Sequence, residues 1–237
     1  MNRALNRCTT SIRPLTIKHN FIKHAEGSVL ISLGDTKIIC SVSVTPGVPR
    51  FLKGTGQGWL TAEYAMLPRS TEERITREAV SGKVSGRSQE ISRLIGRTLR
   101  SALDLKKLGE LTLHVDCDVI QADGSTRCTA ITGAMIAVVD AISLLQKRGL
   151  KNNPLRYLVA AVSVGILKDK VIVDLDYQED MQASTDLNLI MNDQNAIIEV
   201  QGTAEKKPFT KEELNHMLEI GSNALQQIFT IQKQLLK

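Results

Sequence analysis

The chain is poor in aromatic residues: one Trp, three Tyr and four Phe make up 3% of its 237 residues. That scarcity argues against nucleic-acid binding through rows of stacking rings. Its four cysteines (Cys8, Cys40, Cys117 and Cys128) contain no C-x-x-C pair and have no His partners at metal-ligand spacing, so neither a zinc site nor a redox motif is encoded. Two of them lie in apolar patterns and read as buried free thiols of a reducing compartment. No stretch is rich enough in Pro, Gly or Ser to separate domains, and no apolar run reaches membrane-spanning length before a charge such as Asp140 interrupts it. The amino terminus is polar and carries Arg3, Arg7 and Arg13 instead of the apolar core of a leader. These absences set the expectation of one domain over residues 1–237 in the cytoplasm.

Hydrophobic content of 42% and charged content of 23% are ordinary for a globular chain. The formal charge of +5 says little by itself, but its placement says more. From Arg69 to Arg100 the chain carries seven arginines and Lys83 against Glu72, Glu73, Glu78 and Glu90, which accounts for four of the five net charges. A polyanionic partner is one reading of such a concentration. A solvated basic face is the other.

The first third reads as β-structure. Val29–Leu33 and Lys37–Val44 are strand-like runs around the turn signal Gly34-Asp35, and Trp59–Met66 is another strand. Between them, Thr45–Gly58 holds a dense cluster of turn formers ending in Gly54-Thr55-Gly56-Gln57-Gly58; no helix pattern follows it, so it reads as a mobile loop and not as a nucleotide fingerprint. Leu67–Ser85 is a polar, arginine-bearing loop. From Gly86 a helix buries Ile91, Leu94, Ile95 and Leu99 and places Arg93, Arg97 and Arg100 on nearly the opposite face. In the second half, hairpins are expected around Lys168-Asp169 and Asn192-Asp193, and a final helix starts at Thr210 with Glu213 completing a capping box.

The most telling stretch is Gln121-Ala122-Asp123-Gly124-Ser125-Thr126-Arg127, between a strand alternating over Leu111–Val119 and an apolar helix over Ala130–Leu145. Free N–H groups and the positive end of the helix dipole make such a junction an anion site. A Ser/Thr cap after a glycine turn is the competing reading. Arg127 favours the anion, because a cation in the first turn opposes the dipole unless an anion offsets it. Arg87 opens its own helix after Gly82–Gly86 in the same manner. A third feature is the acidic run Asp174-Leu175-Asp176-Tyr177-Gln178-Glu179-Asp180 followed by Asp186. Carboxylates this dense after a strand are costly unless solvated, paired or metal-bound. Asp180 in the loop and Asp186 at the next strand's start can converge, and with phosphate oxygens they suit Mg²⁺.

Four separated motifs, in order, resemble the ribonuclease PH family: Glu63–Thr71 (EYAMLPRST), Gly86–Arg97 (GRSQEISRLIGR), Asp118–Arg127 (DVIQADGSTR) and Asp174 through Asp186. Ile12–Leu15 and Glu26–Leu30 extend the resemblance to almost the whole chain. It implies an α+β fold of ribosomal-protein-like βαβ units, with mixed sheets packed against helices, assembled as a homohexamer, a trimer of dimers. It also implies a phosphate-dependent 3′→5′ exoribonuclease, a tRNA nucleotidyltransferase that trims tRNA precursors, with rRNA as a further substrate. Phosphate attacks the terminal phosphodiester without a covalent intermediate, nucleoside diphosphates leave, and the reaction is reversible. By the resemblance, Arg87, Ser125, Thr126 and Arg127 bind phosphate, while Asp180 and Asp186 serve Mg²⁺ or protonate the leaving oxygen. Arg69, Arg74 and Arg77, with the stripe Arg93, Arg97 and Arg100, are read as the RNA track or as subunit contacts.

Two departures stand out. Ser125 replaces the second glycine that commonly precedes Thr-Arg, and its hydroxyl is expected to cap the helix or bond phosphate. Asn2–Ser11 strays from the usual pattern and is expected to contribute little to the phosphate site. Two other classes compete with the enzyme reading. A non-catalytic ring subunit would have lost the phosphate arginines or the acidic pair, both present here, and a hydrolytic metal nuclease would release nucleoside monophosphates.

Overall fold

The computed structural model describes residue 3 and residues 6–236. Asn2, in the divergent amino-terminal stretch, and the last residue, 237, lie outside the described residues, as do residues 1, 4 and 5. Strands β1 (Leu15–His19), β2 (Gly27–Leu33), β3 (Thr36–Pro46), β4 (Trp59–Met66) and β5 (Leu111–Gln121) form one sheet in the order β1-β2-β3-β5-β4. All neighbours are antiparallel except β4 and β5. Parallel neighbours need a crossover, and the chain between these two contains α1 (Glu78–Ser81), α2 (Gly86–Ser101) and α3 (Leu105–Leu108). A second sheet, in the order β7-β6-β8-β9, is antiparallel throughout: β6 (Val159–Leu167), β7 (Lys170–Val173), β8 (Thr185–Asn192) and β9 (Ile197–Ala204). Helices α4 (Thr126–Lys147), α5 (Tyr177–Gln182) and α6 (Lys211–Leu235) complete an α+β fold of mixed sheets packed against helices.

Period-2 patterning explains the first sheet. Leu113, Val115, Cys117 and Val119 of β5 face the core, while Asp118 between them is exposed. In α2 the 3.6-residue period buries Ile91, Leu94, Ile95 and Leu99 and leaves Arg93 and Arg97 outside. Helix α4 is different: most of its 22 residues are buried, because it packs against β2 and β3 on one side and β6 on the other. By length and composition alone it is apolar enough to cross a bilayer, which corrects the expectation that no segment would be; a core helix between two sheets has the same character. Every residue of β6 is buried as well, with α4 and α6 both packed on it.

Segments read as loop contain more structure than their polarity suggested. Helices α1, α3 and α5 are single turns or little more, too short for a periodic signal, and Asp180 lies in α5 instead of a loop. The glycine-rich stretch after β3 remains irregular, but the Gly54 and Gly56 amides donate to Glu110 Oε1 at 2.7 and 3.3 Å. Cys40, Cys117 and Cys128 are buried free thiols, whereas Cys8 is exposed.

The tightest contact in this packing is Gly27 of β2 against α4. A Cβ there would lie 2.0 Å from the Ala137 carbonyl oxygen, which is helix backbone and cannot swing aside. Gly27→Ala should therefore push strand and helix apart and cost about 3 kcal/mol or more. Urea denaturation checks this, and a loss below about 1 kcal/mol would show that the helix shifts freely.

Candidate active site

The junction between β5 and α4 is built by two successive left-handed residues, Gly124 (φ 72°) and Ser125 (φ 54°). A Cβ on Gly124 would sit 2.5 Å from the Leu175 carbonyl oxygen, so only glycine permits this approach to the chain after β7. Thr36, beside the β2–β3 turn, braces the junction from the other side: its Oγ1 donates to the Gly124 carbonyl at 2.7 Å and accepts from the Asp123 amide at 2.9 Å. Ser125 holds the N-cap position but makes no side-chain cap bond. Its hydroxyl instead lies 2.7 Å from Ser163 Oγ and donates toward Asp174 Oδ1 and the Leu175 carbonyl at 3.2 and 3.0 Å. The expected capping role is corrected accordingly, and with the hydroxyl so engaged the contribution left to Ser125 at an anion is its backbone.

Most of the acidic run is internal scaffolding. Asp174 is fully buried and left-handed (φ 54°), and it faces Arg13, whose Nη2 donates to Oδ1 at 2.7 Å while its amide and Nε donate to Oδ2 at 2.6 and 3.0 Å. Burial alone would push the Asp174 carboxyl up, but the hydrogen bonds and charge of Arg13, joined by the charge of Arg7, overcome it and hold the carboxyl below its ordinary range. Arg13 Nη1 continues to the Asp123 carbonyl and carboxylate, which ties the clamp to the junction. Arg3 pairs with Glu179 through Nε and Nη2 at 2.7 and 2.9 Å, and Asp176 caps α5 in a reciprocal box with Glu179. The amino-terminal segment thus buttresses the site, contrary to the expectation that it contributes little. No sequence signal pairs residues 161 to 176 positions apart, so these contacts are not readable there.

With the scaffold set, Arg87, Thr126, Arg127, Tyr64, Asp180 and Asp186 meet in one electrostatic neighbourhood. Arg87 lies in the first turn of α2, and Thr126 and Arg127 open α4. The charges of both arginines act on Asp180 and on the phenol of Tyr64 in β4. Tyr64, which the sequence did not single out, is buried and donates to Thr126 Oγ1 at 2.9 Å. Burial together with the neighbouring charge of Asp180 pushes the Asp186 carboxyl up to about 6 against the opposing pull of Arg127. Asn188 Nδ2 approaches Asp186 at 3.4 Å. Asp180 is raised as well, first by desolvation and then by Glu205, with Arg87 and Arg127 working against the shift. Two cations at helix N-termini therefore stand beside two carboxylates that resist ionisation. That arrangement can hold an anion against a group able to carry a proton or a hard cation.

The basic residues divide. Arg69, Arg74, Arg77 and Arg93 are exposed, and none has an ion-pair partner among the described residues. Arg97 instead pairs with Glu199 of β9 at 2.7 Å. Arg100 lies over the Trp59 ring at 4.6 Å and donates to the Leu60 carbonyl, a structural role.

The 3′ exoribonuclease family matches this chain twice, its domain 1 over residues 11–142 and its domain 2 over residues 157–224. The chain belongs to that family, the ribonuclease PH family. Among solved structures, Rrp46 of rice (Oryza sativa) is similar at 23% identity and TM-score 0.81, covering 99% of this chain and 100% of that one. An Archaeoglobus fulgidus exosome with RNA bound to the active site matches at 22% identity and TM-score 0.83, covering 97% and 92%. An archaeal exosome core matches at 22% and 0.80, covering 98% and 91%. At these identities the likeness shows the shared fold.

Asp174→Asn keeps the shape and tolerates the left-handed backbone, but it strands the buried Arg13 charge. At neutral pH it should lose on the order of 3 kcal/mol of stability. Because the folded-state carboxyl is depressed, the contribution of Asp174 is present above the ordinary carboxylate range and is lost as pH falls through its lowered value. Denaturation curves at neutral and strongly acidic pH should therefore show the gap between native chain and variant closing in acid. A gap independent of pH would mean that charge is not what the clamp contributes.

Proposed function

We propose that the chain is a phosphorolytic 3′→5′ exoribonuclease that trims tRNA precursors. The observation that carries this reading is the convergence of Arg87, Thr126 and Arg127, at the N-termini of α2 and α4, with the raised carboxylates Asp180 and Asp186. Phosphorolysis brings two anions together, so the attacking phosphate needs a cationic, N–H-rich cradle. Arginine forks supply that cradle in a geometry lysine lacks. A phosphate oxygen attacks the terminal phosphorus, the bond to the 3′ oxygen of the preceding nucleotide breaks, and a nucleoside diphosphate leaves. The departing 3′ oxygen must gain a proton, and Asp186, with its carboxyl near 6, is the better placed of the pair to hold one. No covalent nucleophile is needed, and catalysis rests on positioning and charge.

Among the described residues no group of three or more His, Cys, Asp and Glu side chains forms a metal cage. Two neighbouring carboxylates that form no arginine or lysine ion pair among the described residues nevertheless fit Mg²⁺, which takes one or two protein carboxylates and completes its shell with water and substrate phosphate. Held by Asp180, with Asp186 joining whenever its carboxyl is ionised, the ion would neutralise charge on the scissile phosphate. The exposed loop of Arg69, Arg74 and Arg77 suits an RNA backbone, and the RNA in the active site named for the Archaeoglobus structure supports that substrate class. Assembly as a homohexamer completes the proposal.

The test is trimming of a 3′-extended tRNA with phosphate or Mg²⁺ withheld. Activity should require both. Equal activity in phosphate-free buffer, with monophosphate products, would replace this reading by a hydrolytic nuclease. For the RNA track, replacing Arg69, Arg74 and Arg77 by Ala should lower the slope of log affinity against log salt by about one per arginine that contacts a phosphate. An unchanged slope would move these arginines to subunit interfaces.

A further inference from the structure

We propose that Glu90 is a positioning residue that aims the guanidinium of Arg127 and thereby sets how tightly inorganic phosphate is held; the proposal rests on the phosphorolytic reading above. Glu90 lies three residues after Arg87 on α2, so one face of that helix carries both an arginine of the cradle and a carboxylate that reaches the other arginine. Its Oε2 accepts from Arg127 Nη2 at 2.8 Å. Its Oε1 accepts from Gln201 Nε2 of β9 at 3.4 Å, and Gln201 is itself held by Glu199 Oε1 at 3.0 Å. Glu199 is anchored in turn by Arg97 at 2.7 Å. A chain of polar contacts thus runs from the phosphate arginine through α2 to the edge strand of the second sheet, with Glu90 held from both sides.

The state of Arg127 shows what this grip is for. Its side chain is 19% exposed, and its Nε is fully buried with no partner among the described residues. A buried donor without an acceptor is unfavourable, and an anion oxygen arriving at the junction would satisfy it. Glu90 takes one hydrogen of Nη2 and leaves the adjacent Nε–H for the anion. Arginine recognises phosphate through paired donors in fixed orientation, so rotating the plane away would forfeit more than one bond. A carboxylate beside an anion site also repels the anion. Glu90 is 43% exposed, however, so that repulsion is screened by solvent. Orientation outweighs repulsion here.

Three substitutions separate these effects. Glu90→Ala removes the acceptor and the charge, Glu90→Gln keeps an acceptor without the charge, and Glu90→Asp keeps the charge but withdraws it by one methylene. Each would be assayed for phosphorolysis of a 3′-extended RNA with inorganic phosphate varied, and its melting temperature recorded. Glu90→Ala and Glu90→Asp should raise the KM for phosphate roughly tenfold while kcat at saturating phosphate stays within about threefold. The KM for RNA should not move. Glu90→Gln should return the phosphate KM to the native value or below it. An unchanged phosphate KM in Glu90→Asp, or a Gln variant as impaired as the Asp variant, would overturn the proposal while leaving the phosphorolytic reading intact. A native chain that trims RNA without phosphate would overturn both. Should Glu90→Ala fail to fold, the Gln and Asp pair decides the question alone.

Discussion

The buried pairing of Asp174 with Arg13 is the contact on which the rest of the site depends. It joins the segment before β1 to the turn after β7, and so fastens the first sheet to the second at the point where α4 begins. Around it, Ser125, Ser163, Arg7 and Asp123 complete a network in which each group has several partners. Such pairs are a weak source of net stability but are costly to break, because the surviving charge stays buried. What this one contributes is registration: with it in place, Gly124 and Ser125 keep the left-handed backbone from which α4 starts.

Upon that rigid floor stand several locally unfavourable features. Arg87 and Arg127 occupy first turns, where the dipole disfavours cations. Ser125 is left-handed without being glycine, Arg127 Nε lacks a partner, and the Asp186 carboxyl is crowded into a raised value. Strained backbone and perturbed carboxyls concentrate at functional sites. The first-turn cations and the unpartnered Arg127 Nε are of a kind that an incoming anion would relieve, and a cation would relieve the crowded carboxylates, whereas the left-handed Ser125 is held by its scaffold. On the proposed reading, the site is complementary to the charge distribution of the bound reactants.

Much of this was legible in the residues. Alternation over Leu111–Val119 followed by the apolar period from Ala130 marks the β5–α4 junction, and Arg127 in its first turn marks it as more than a cap. The hairpins, α2 and α6 follow from period and turn chemistry in the same way. What escaped was of two kinds. Helices of four to six residues, α1, α3 and α5, have too few turns to show a period. Long-range polar pairing escaped as well: nothing local links Arg3 to Glu179, Arg13 to Asp174, Tyr64 to Thr126 or Glu90 to Arg127. Asp180 could be singled out from the acidic run, but nothing in the run showed that Asp174, Asp176 and Glu179 are scaffold while Asp180 lies under the charge of Arg87 and Arg127. Ser125 misled for a related reason, because its hydroxyl answers to Ser163 on a distant strand.

The central claim is that the arginines at the two helix starts hold the attacking phosphate. The most direct measurement supplies radiolabelled inorganic phosphate during trimming of an unlabelled 3′-extended RNA and follows the label. If the claim holds, label appears in the terminal phosphate of released nucleoside diphosphates, and Arg87→Ala or Arg127→Ala abolishes that incorporation while the chain remains folded. Products released as unlabelled monophosphates, or incorporation unaffected by both substitutions, would contradict it.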